Sequence, residues 1–302
     1  RCTIIRKGRY VGTVNIADVT KEQLSEMMVG HKVNLTVTKD DHEPTDVVLK
    51  VDHLSYQPKT SDKLLLNDVS FEVRKGEIVC IAGIDGNGQS ELIYNLTGLE
   101  QPNMGHVYLN DEEITHKSIR YRNDHGLSHI PEDRHKHGLV LDYTLAENLI
   151  LKSYYEKEFQ NHGIINFDAM NTYADRLIEE YDVRSGEGRN SIVRGMSGGN
   201  QQKAIIAREV EQNDDLLIAV QPTRGLDVGA IEFIHKQIIK TRDNNKAVLL
   251  VSLELDEVMN LSDRILVMYE GEIVADLNPK ETTIQELGLY MAGSKRGEGY
   301  EK

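Results

Sequence analysis

One stretch constrains this chain more than any other: Gly83-Ile84-Asp85-Gly86-Asn87-Gly88-Gln89-Ser90. It follows Glu77–Ala82, an apolar, β-branched run that predicts a buried strand, and precedes Glu91–Leu99, whose apolar residues recur at helical spacing. Strand, glycine-rich turn and helix is the context in which consecutive backbone N–H groups and a helix N-terminus converge on an anion. The pattern G-x-x-x-x-G-K-[S/T] is met at every position but one, because Gln89 stands where a lysine is required.

Bulk properties narrow the field. A chain of 302 residues can build one large or two small cores. Its formal net charge of −14 argues against nucleic acid as a partner, which calls for a basic face. Cys2 and Cys80 are far apart, and Cys80 falls inside the expected strand, so a disulfide framework is not expected. No apolar run approaches the roughly 18 residues that a membrane span needs.

The two ends of the chain resemble each other. A shift of 263 lays Arg1–Gly30 on Arg264–Gly293 without a gap, with Arg1/Arg264, Gly8/Gly271, Val11/Val274, Asn15/Asn278, Thr20/Thr283, Leu24/Leu287, Met28/Met291 and Gly30/Gly293 identical. Each copy predicts a hairpin (turning at Lys7-Gly8 in the first) and then a helix. The expectation is an internal repeat. Residues 1–30 are then the last piece of a preceding homologous domain. Residues 31–46, with Asp40-Asp41-His42-Glu43-Pro44, have linker chemistry; 47–293 form the second domain, and 294–302 a loose polar tail.

Within 47–293, strands alternate with helices. Strands are expected at Val47–Leu54, Val69–Val73, Gly105–Leu109, Leu127–Ile130, Asp215–Val220 and Ala247–Leu253, and helices at Asn200–Gln212 and Gly229–Lys240. Helical spacing also runs from Leu145 to about Asp182. The pattern predicts an α/β fold with a mainly parallel sheet. A β-rich N-terminal part (about 47–76) and an inserted helical part (about 135–200) decorate it.

Three further motifs give this arrangement a family. Met196-Ser197-Gly198-Gly199-Asn200 resembles the signature motif of ABC-transporter ATPases, and Pro222-Thr223-Arg224-Gly225-Leu226-Asp227 resembles the end of Walker B with the D-loop. Glu132, in Ile130-Pro131-Glu132-Asp133-Arg134, occupies the Q-loop position. In this order and spacing the chain is similar to the second half of fused ATP-binding subunits of bacterial sugar and nucleoside importers, the nucleoside branch fitting best. The resemblance implies a P-loop ABC ATPase fold and the ligands ATP and Mg²⁺. The implied partners are a preceding ATPase half, two transmembrane permease subunits and, indirectly, an external substrate-binding protein. The implied location is the cytoplasmic face of the plasma membrane.

Set against the family pattern, the site is depleted. Gly83, Asp85, Gly86, Asn87, Gly88, Gln89 and Ser90 form the Walker A-like loop, and Ser90 keeps the hydroxyl that can meet Mg²⁺. Gln89 offers neutral in place of charged hydrogen bonds, a change worth roughly 3- to 30-fold in affinity. Val220 gives a hard cation no oxygen. Gln221 replaces the catalytic glutamate and Leu253 the switch histidine. Glu132 puts an anion near the place of the γ-phosphate. The domain is thus expected not to hydrolyse ATP in its own cradle. Ser197, Gly198 and Gly199, with Asn200 for glutamine and Asp227 intact, can still complete the partner's site.

Several readings stay open at this point. Tyr56 is either an adenine-stacking aromatic or a half-exposed strand tyrosine. His129, His135 and His137 are either a metal cluster or part of a solvated charged loop. The whole domain is either a degenerate ATPase half or a scaffold that binds no nucleotide; a weakly active, self-sufficient ATPase is disfavoured by Val220, Gln221 and Leu253 together.

Overall fold

The computed structural model describes residues 1–6, 8–30, 39–59 and 62–300. The chain opens with the hairpin β1 (Cys2–Arg6) and β2 (Arg9–Val14), followed by α1 (Lys21–Val29). Thr20 caps α1 in a reciprocal capping box with Gln23, and Gly30 closes it at φ 97°. Next come β3 (Val47–Tyr56), β4 (Leu66–Arg74) and the buried strand β5 (Ile78–Ala82), which feeds the glycine-rich loop and α2 (Gln89–Thr97). β6 (Met104–Leu109), the short β7 (Glu112–Glu113), α3 (Ile119–Asp124) and β8 (Leu127–Ile130) follow. The inserted part holds α4 (Leu145–Leu149), β9 (Gln160–Asn161), β10 (Ile164–Ile165) and α5 (Phe167–Glu180). The chain ends with α6 (Gly198–Glu211), β11 (Leu216–Val220), α7 (Val228–Asp243), β12 (Ala247–Ser252), α8 (Leu255–Leu261), β13 (Arg264–Tyr269), β14 (Glu272–Leu277) and α9 (Ile284–Met291).

A six-stranded sheet in the order β14-β13-β5-β12-β11-β8 forms the centre. All its neighbours run parallel except β13 and β14. Alternation along each strand divides the core into two. Ile78, Cys80, Ala82, Leu217, Ala219, Val248 and Leu250 face the helices of the insertion and C-terminal part. Val79, Ile81, Leu216, Ile218, Ala247 and Leu249 face α2 and the antiparallel sheet β4-β3-β6-β7. A parallel sheet covered on both faces needs strands apolar on both faces, and hence the unbroken runs in the sequence.

The first 30 residues repeat the last hairpin and helix in three dimensions. β2 and β14 are offset by the same 263 positions, and the two hairpins carry their register irregularity at equivalent places, Ile4/Ile5 and Val267/Met268. One difference is physical. β13 pairs with β5, whereas among the described residues β1 pairs only with β2, which leaves Ile5, Tyr10, Ile16 and Met28 more than half exposed. A lone two-stranded sheet is marginal in water.

Three expectations need correction. The segment 145–182 is not one helical run: α4 and α5 are separated by turns and the small hairpin β9–β10, whose reversal at His162 and Gly163 has positive φ at both residues. Helix α6 begins at Gly198 rather than at Asn200, with Ser197 as its N-cap. The tail is not loose through its described length, because Gly297 N donates to Val274 O, Arg296 pairs with Glu272, and Tyr300 packs on the core. Part of the expected linker (31–38) lies outside the described residues. Further along it, the Lys39 ammonium donates to the carbonyls of Leu261 and Ser262 and pairs with Asp263, docking the chain on the end of α8.

Candidate functional site

Parallel strands bring their carboxyl ends to one edge, and loops at such an edge converge. β5, β8, β11 and β12 therefore present Gly83–Ser90, Pro131–Glu132, Gln221 and Leu253 on the same side of the sheet. Between them lies a cleft of about 600 Å³, lined by Ser90, Glu132, Val220, Gln221, Arg224 and the turn Asp133–His137. Leu253 is half-buried and does not line it.

The glycine-rich loop has the geometry of a cradle and fills it with its own side chain. Gly88 takes φ 106°, and a Cβ there would meet Leu65 O at 2.8 Å, so only glycine fits. Asn87 pins the loop to the β13–β14 turn: its Oδ1 accepts from Glu270 N and its carbonyl from Gly271 N, each at 2.9 Å. The Gln89 side chain is 6% exposed and folds back under the loop. Its Oε1 accepts from Asn87 N at 3.2 Å and its Nε2 donates to Ile84 O at 3.1 Å. An ammonium could make the second bond but not the first, since it has no acceptor. Gln89 therefore both lacks the positive charge and engages an N–H that could otherwise meet a phosphate. Asp85 is exposed at the loop tip and Ser90 is half-buried at the start of α2.

Glu132 and Gln221 meet across the cleft. Gln221 Nε2 donates to Glu132 Oε1 at 2.9 Å, and Arg224 Nη1 reaches the same oxygen at 2.5 Å. Gln221 holds the left-handed φ of 43° at the end of β11, fixed by its own N–H donating to Val251 O at 2.7 Å. Val220 is 4% exposed and apolar. Asp227 caps α7 through Ala230 N, Gly225 takes φ 71°, and Leu226 packs against the core.

The segment Met196–Asn200 sits where the inserted part meets α6. Met196 packs against the core, Ser197 is exposed, and Gly198 and Gly199 are half-buried. Ser197 Oγ caps no backbone N–H; it accepts instead from Asn200 Nδ2 at 2.9 Å. Asn200 Oδ1 in turn accepts from Arg184 N at 2.8 Å. The first-turn N–H groups of α6 thus point outward with the serine hydroxyl held beside them.

The open readings now divide. Tyr56 is 8% exposed in the core that also holds Leu54 and Leu66, and burial and its bond to Glu100 both raise its pKa. The site therefore places it as a core tyrosine rather than as a free face for a base. Among the described residues no group of three His, Cys, Asp or Glu is placed to hold a metal. His129 is not in a loop but on β8, with a Nε2 that is buried and unpartnered, and burial lowers its pKa to about 4. His135 bonds to Gln201 and His137 lies against Tyr94. Arg224 and Arg134 escaped notice in the sequence. The pairing of Arg224 with Glu132 spans 92 positions and has no local signature.

As a ligand site, the cleft suits phosphate better than a metal held by protein alone. Ser90, Glu132, Asp133 and Gln221 bring side-chain oxygens to the lining, but Glu132 is already paired with Arg224 and Asp133 already accepts from His135 N and Lys136 N. Mg²⁺ commonly retains waters and relies on substrate phosphates, so this sparse donor set fits the ion only as a companion of a nucleotide.

Comparison with known proteins places the chain. A family model described as "ABC transporter" matches residues 66–224. The guanosine import ATP-binding protein NupO of Bacillus subtilis (strain 168) is 50% identical over 298 residues, covering 99% of this chain and 58% of that protein. The nucleoside import ATP-binding protein NupA of Lactococcus lactis subsp. cremoris (strain MG1363) is 47% identical, again over 99% of this chain and 58% of its own length. The chain thus spans little more than half of these relatives. Among solved structures, a nucleotide-free ATP-binding cassette from an ABC transporter has a TM-score of 0.66 at 20% identity, covering 81% of this chain and 99% of that one. That likeness speaks for the fold.

Proposed function

The chain belongs to the ABC transporter family, and from that membership we propose that it is the second nucleotide-binding domain of an ATP-binding subunit that powers import of nucleosides or sugars. Similarity to nucleoside-import proteins over almost the whole chain supports the substrate class. Their greater length leaves room for a preceding domain. Residues 1–30 would complete that domain: β1 and β2 have the form of β13 and β14 but lack the strand that β5 supplies to the second copy. Residues 31–46 would join the halves, 47–293 would form this domain with its insertion at about 135–200, and 294–302 would follow as a tail. The partners would be the preceding ATPase half and two transmembrane permease subunits, with an external substrate-binding protein acting through them and no nucleic acid involved. No described helix is long and apolar enough to cross a membrane; the proposed place is peripheral, at the cytoplasmic face of the plasma membrane.

One observation carries the mechanism. The segment Met196–Asn200 keeps Ser197, Gly198 and Gly199 and is presented at the start of α6, while at and around the domain's own cleft Gln89, Val220, Gln221 and Leu253 stand where charge, metal ligand, base and switch would be expected. Bound ATP with Mg²⁺ supplies the transferable phosphoryl group. At the partner's site, Ser197 Oγ and the N–H groups of Gly198 and Gly199 would donate to phosphate oxygens, and Met196 and Asn200 would hold that edge in place. At its own site, the Gly83–Ser90 loop would hold nucleotide weakly, with Ser90 toward Mg²⁺. Gln221 can orient a water there but cannot accept its proton. Asp227, with Gly225 and Leu226, would shape the surface between the halves. Replacing Ser197 with Arg in the full-length subunit, assembled with its permease, should abolish transport and ATPase activity; retained activity would overturn the assignment.

A second reading, a scaffold that binds no nucleotide, draws on the Gln89 side chain occupying its own loop. Calorimetric titration of the chain with ATP separates the two: heat of binding without turnover fits a degenerate nucleotide site, and absence of binding fits the scaffold.

A further inference from the structure

The cleft is short of positive charge on one wall and has it in excess on the other. The Gly83–Ser90 wall has no cation. Facing it, the single π-helical turn Arg134–Gly138 carries Arg134 and Lys136 into the lining of the same cleft. Among the described residues from 39 onward, every arginine except Arg134 has a carboxylate or carbonyl acceptor. Arg134 is half-buried with neither ion pair nor hydrogen bond, and its Nη2 lies 3.1 Å from where a Cβ on Gly198 would be. That puts a guanidinium beside the positive end of α6, an arrangement which repels unless an anion joins it.

The neighbouring acids form no ion pair with it. Asp133 is engaged as the cap of the turn, accepting from His135 N at 2.9 Å and Lys136 N at 3.0 Å. Glu132 is paired with Arg224. The remaining lining groups on this side are His135, bonded to Gln201, His137 against Tyr94, and His129 with its unpartnered buried Nε2. In a chain of net charge −14, an unpaired arginine and lysine turned into one cleft are a poor candidate for a merely solvated face.

We infer that Arg134 and Lys136 form a phosphate-binding wall, taking the polyphosphate of a nucleotide from the side opposite the glycine-rich loop and supplying the charge that Gln89 lacks. This deepens the reading of the domain's own cleft as a weak nucleotide site, and rests on it. A guanidinium meets two phosphate oxygens at once, and the ammonium adds a movable point charge.

The test is binding to the purified 302-residue chain. Inorganic triphosphate and adenosine each compete against a fluorescent ATP analogue, with wild type, Arg134→Gln, Lys136→Gln and the double variant compared. The double variant should bind analogue and triphosphate about tenfold or more weakly, and wild-type affinity should fall steeply with salt. Displacement by triphosphate at concentrations where adenosine is ineffective places recognition on the phosphates; displacement by adenosine alone overturns the inference. Unchanged affinity in the double variant also overturns it, while leaving the signature's role to the Ser197→Arg transport assay. No binding by wild type overturns it too, and favours the scaffold reading of the cleft without touching that assay. As a check that needs no variant, triphosphate should protect Arg134 of the wild type from an arginine-directed dicarbonyl reagent; equal modification with and without triphosphate would count against the wall.

Discussion

Gln221 and Glu132, 89 positions apart in sequence, are joined by a 2.9 Å hydrogen bond across the cleft. In the proposed reading the amide takes the place of a carboxylate, and Glu132 takes the Q-loop position. Restoring an acid at 221 would therefore place two carboxylates in contact. Gln221→Glu should raise the pKa of one of them and cost about 1–2 kcal/mol at neutral pH. A raised folded-state pKa means that protons favour the fold, so the deficit relative to wild type should shrink as pH falls toward about 5. Thermal unfolding of both proteins at the two pH values checks this; a pH-independent deficit would show that the groups splay apart. No ATP turnover should appear, because Val220, Gln89 and Leu253 remain.

Gln89 holds the loop's own N–H and carbonyl. Gln89→Lys keeps the bond to Ile84 O, releases Asn87 N, and adds charge. Nucleotide affinity should rise roughly 3- to 30-fold, read by fluorescent-nucleotide titration, again without hydrolysis. Unchanged affinity would mean that the cradle is closed for some other reason.

His129 makes acid stability measurable. Burial lowers its pKa from 6.5 to about 4, so the unfolded chain binds the proton more readily and stability falls as pH drops from 6.5 toward 4, the loss being complete below that. The fall between about pH 7 and about pH 5 should be about 2 kcal/mol. Glu209 adds to it at lower pH: burial pushes its pKa up, but Lys152 and Arg208 hold it down to about 2, so its contribution is present above its usual range and lost as pH falls toward 2. Chemical denaturation of wild type and His129→Leu isolates the histidine, since the upper part of the slope should vanish in the variant.

Arg122 is fully buried, with burial lowering its pKa to about 10, and donates to the carbonyls of Asn95, Leu96, Thr115 and Lys117. It closes the C-terminal end of α2, the helix whose first turn carries Ser90. Arg122→Met should leave these carbonyls unsatisfied and cost about 3 kcal/mol or more in denaturant unfolding. A loss under about 1 kcal/mol would mean that water replaces the guanidinium.

Much of the fold was legible because its determinants are local. The run Ile78–Ala82 has to be a buried strand, and the helical spacing that sets in at Thr20 marks the helix which that threonine caps. The repeat was legible too, since a fixed spacing of glycines and apolar residues sets both hairpins and even their shared irregularity. Within 145–182 the apolar spacing misled: Asn161-His162-Gly163 reverses the chain, and turn chemistry there overrode periodicity.

The sequence by itself determined the P-loop architecture and the order of its motifs, and put glutamine at 89, valine at 220 and glutamine at 221, because each of these follows from residue type and near-neighbour spacing. Only the tertiary structure decided what the altered residues touch: that Gln89 fills its own loop, that Glu132 joins Gln221 and Arg224, that Tyr56 lies in the core, and that Arg134 has no counter-charge. These depend on which side chains meet across the edge where β5, β8 and β11 end. Hydrogen bonding and charge pairing fall off within a few ångströms, and no pattern along the chain encodes such a distance between residues about 90 positions apart.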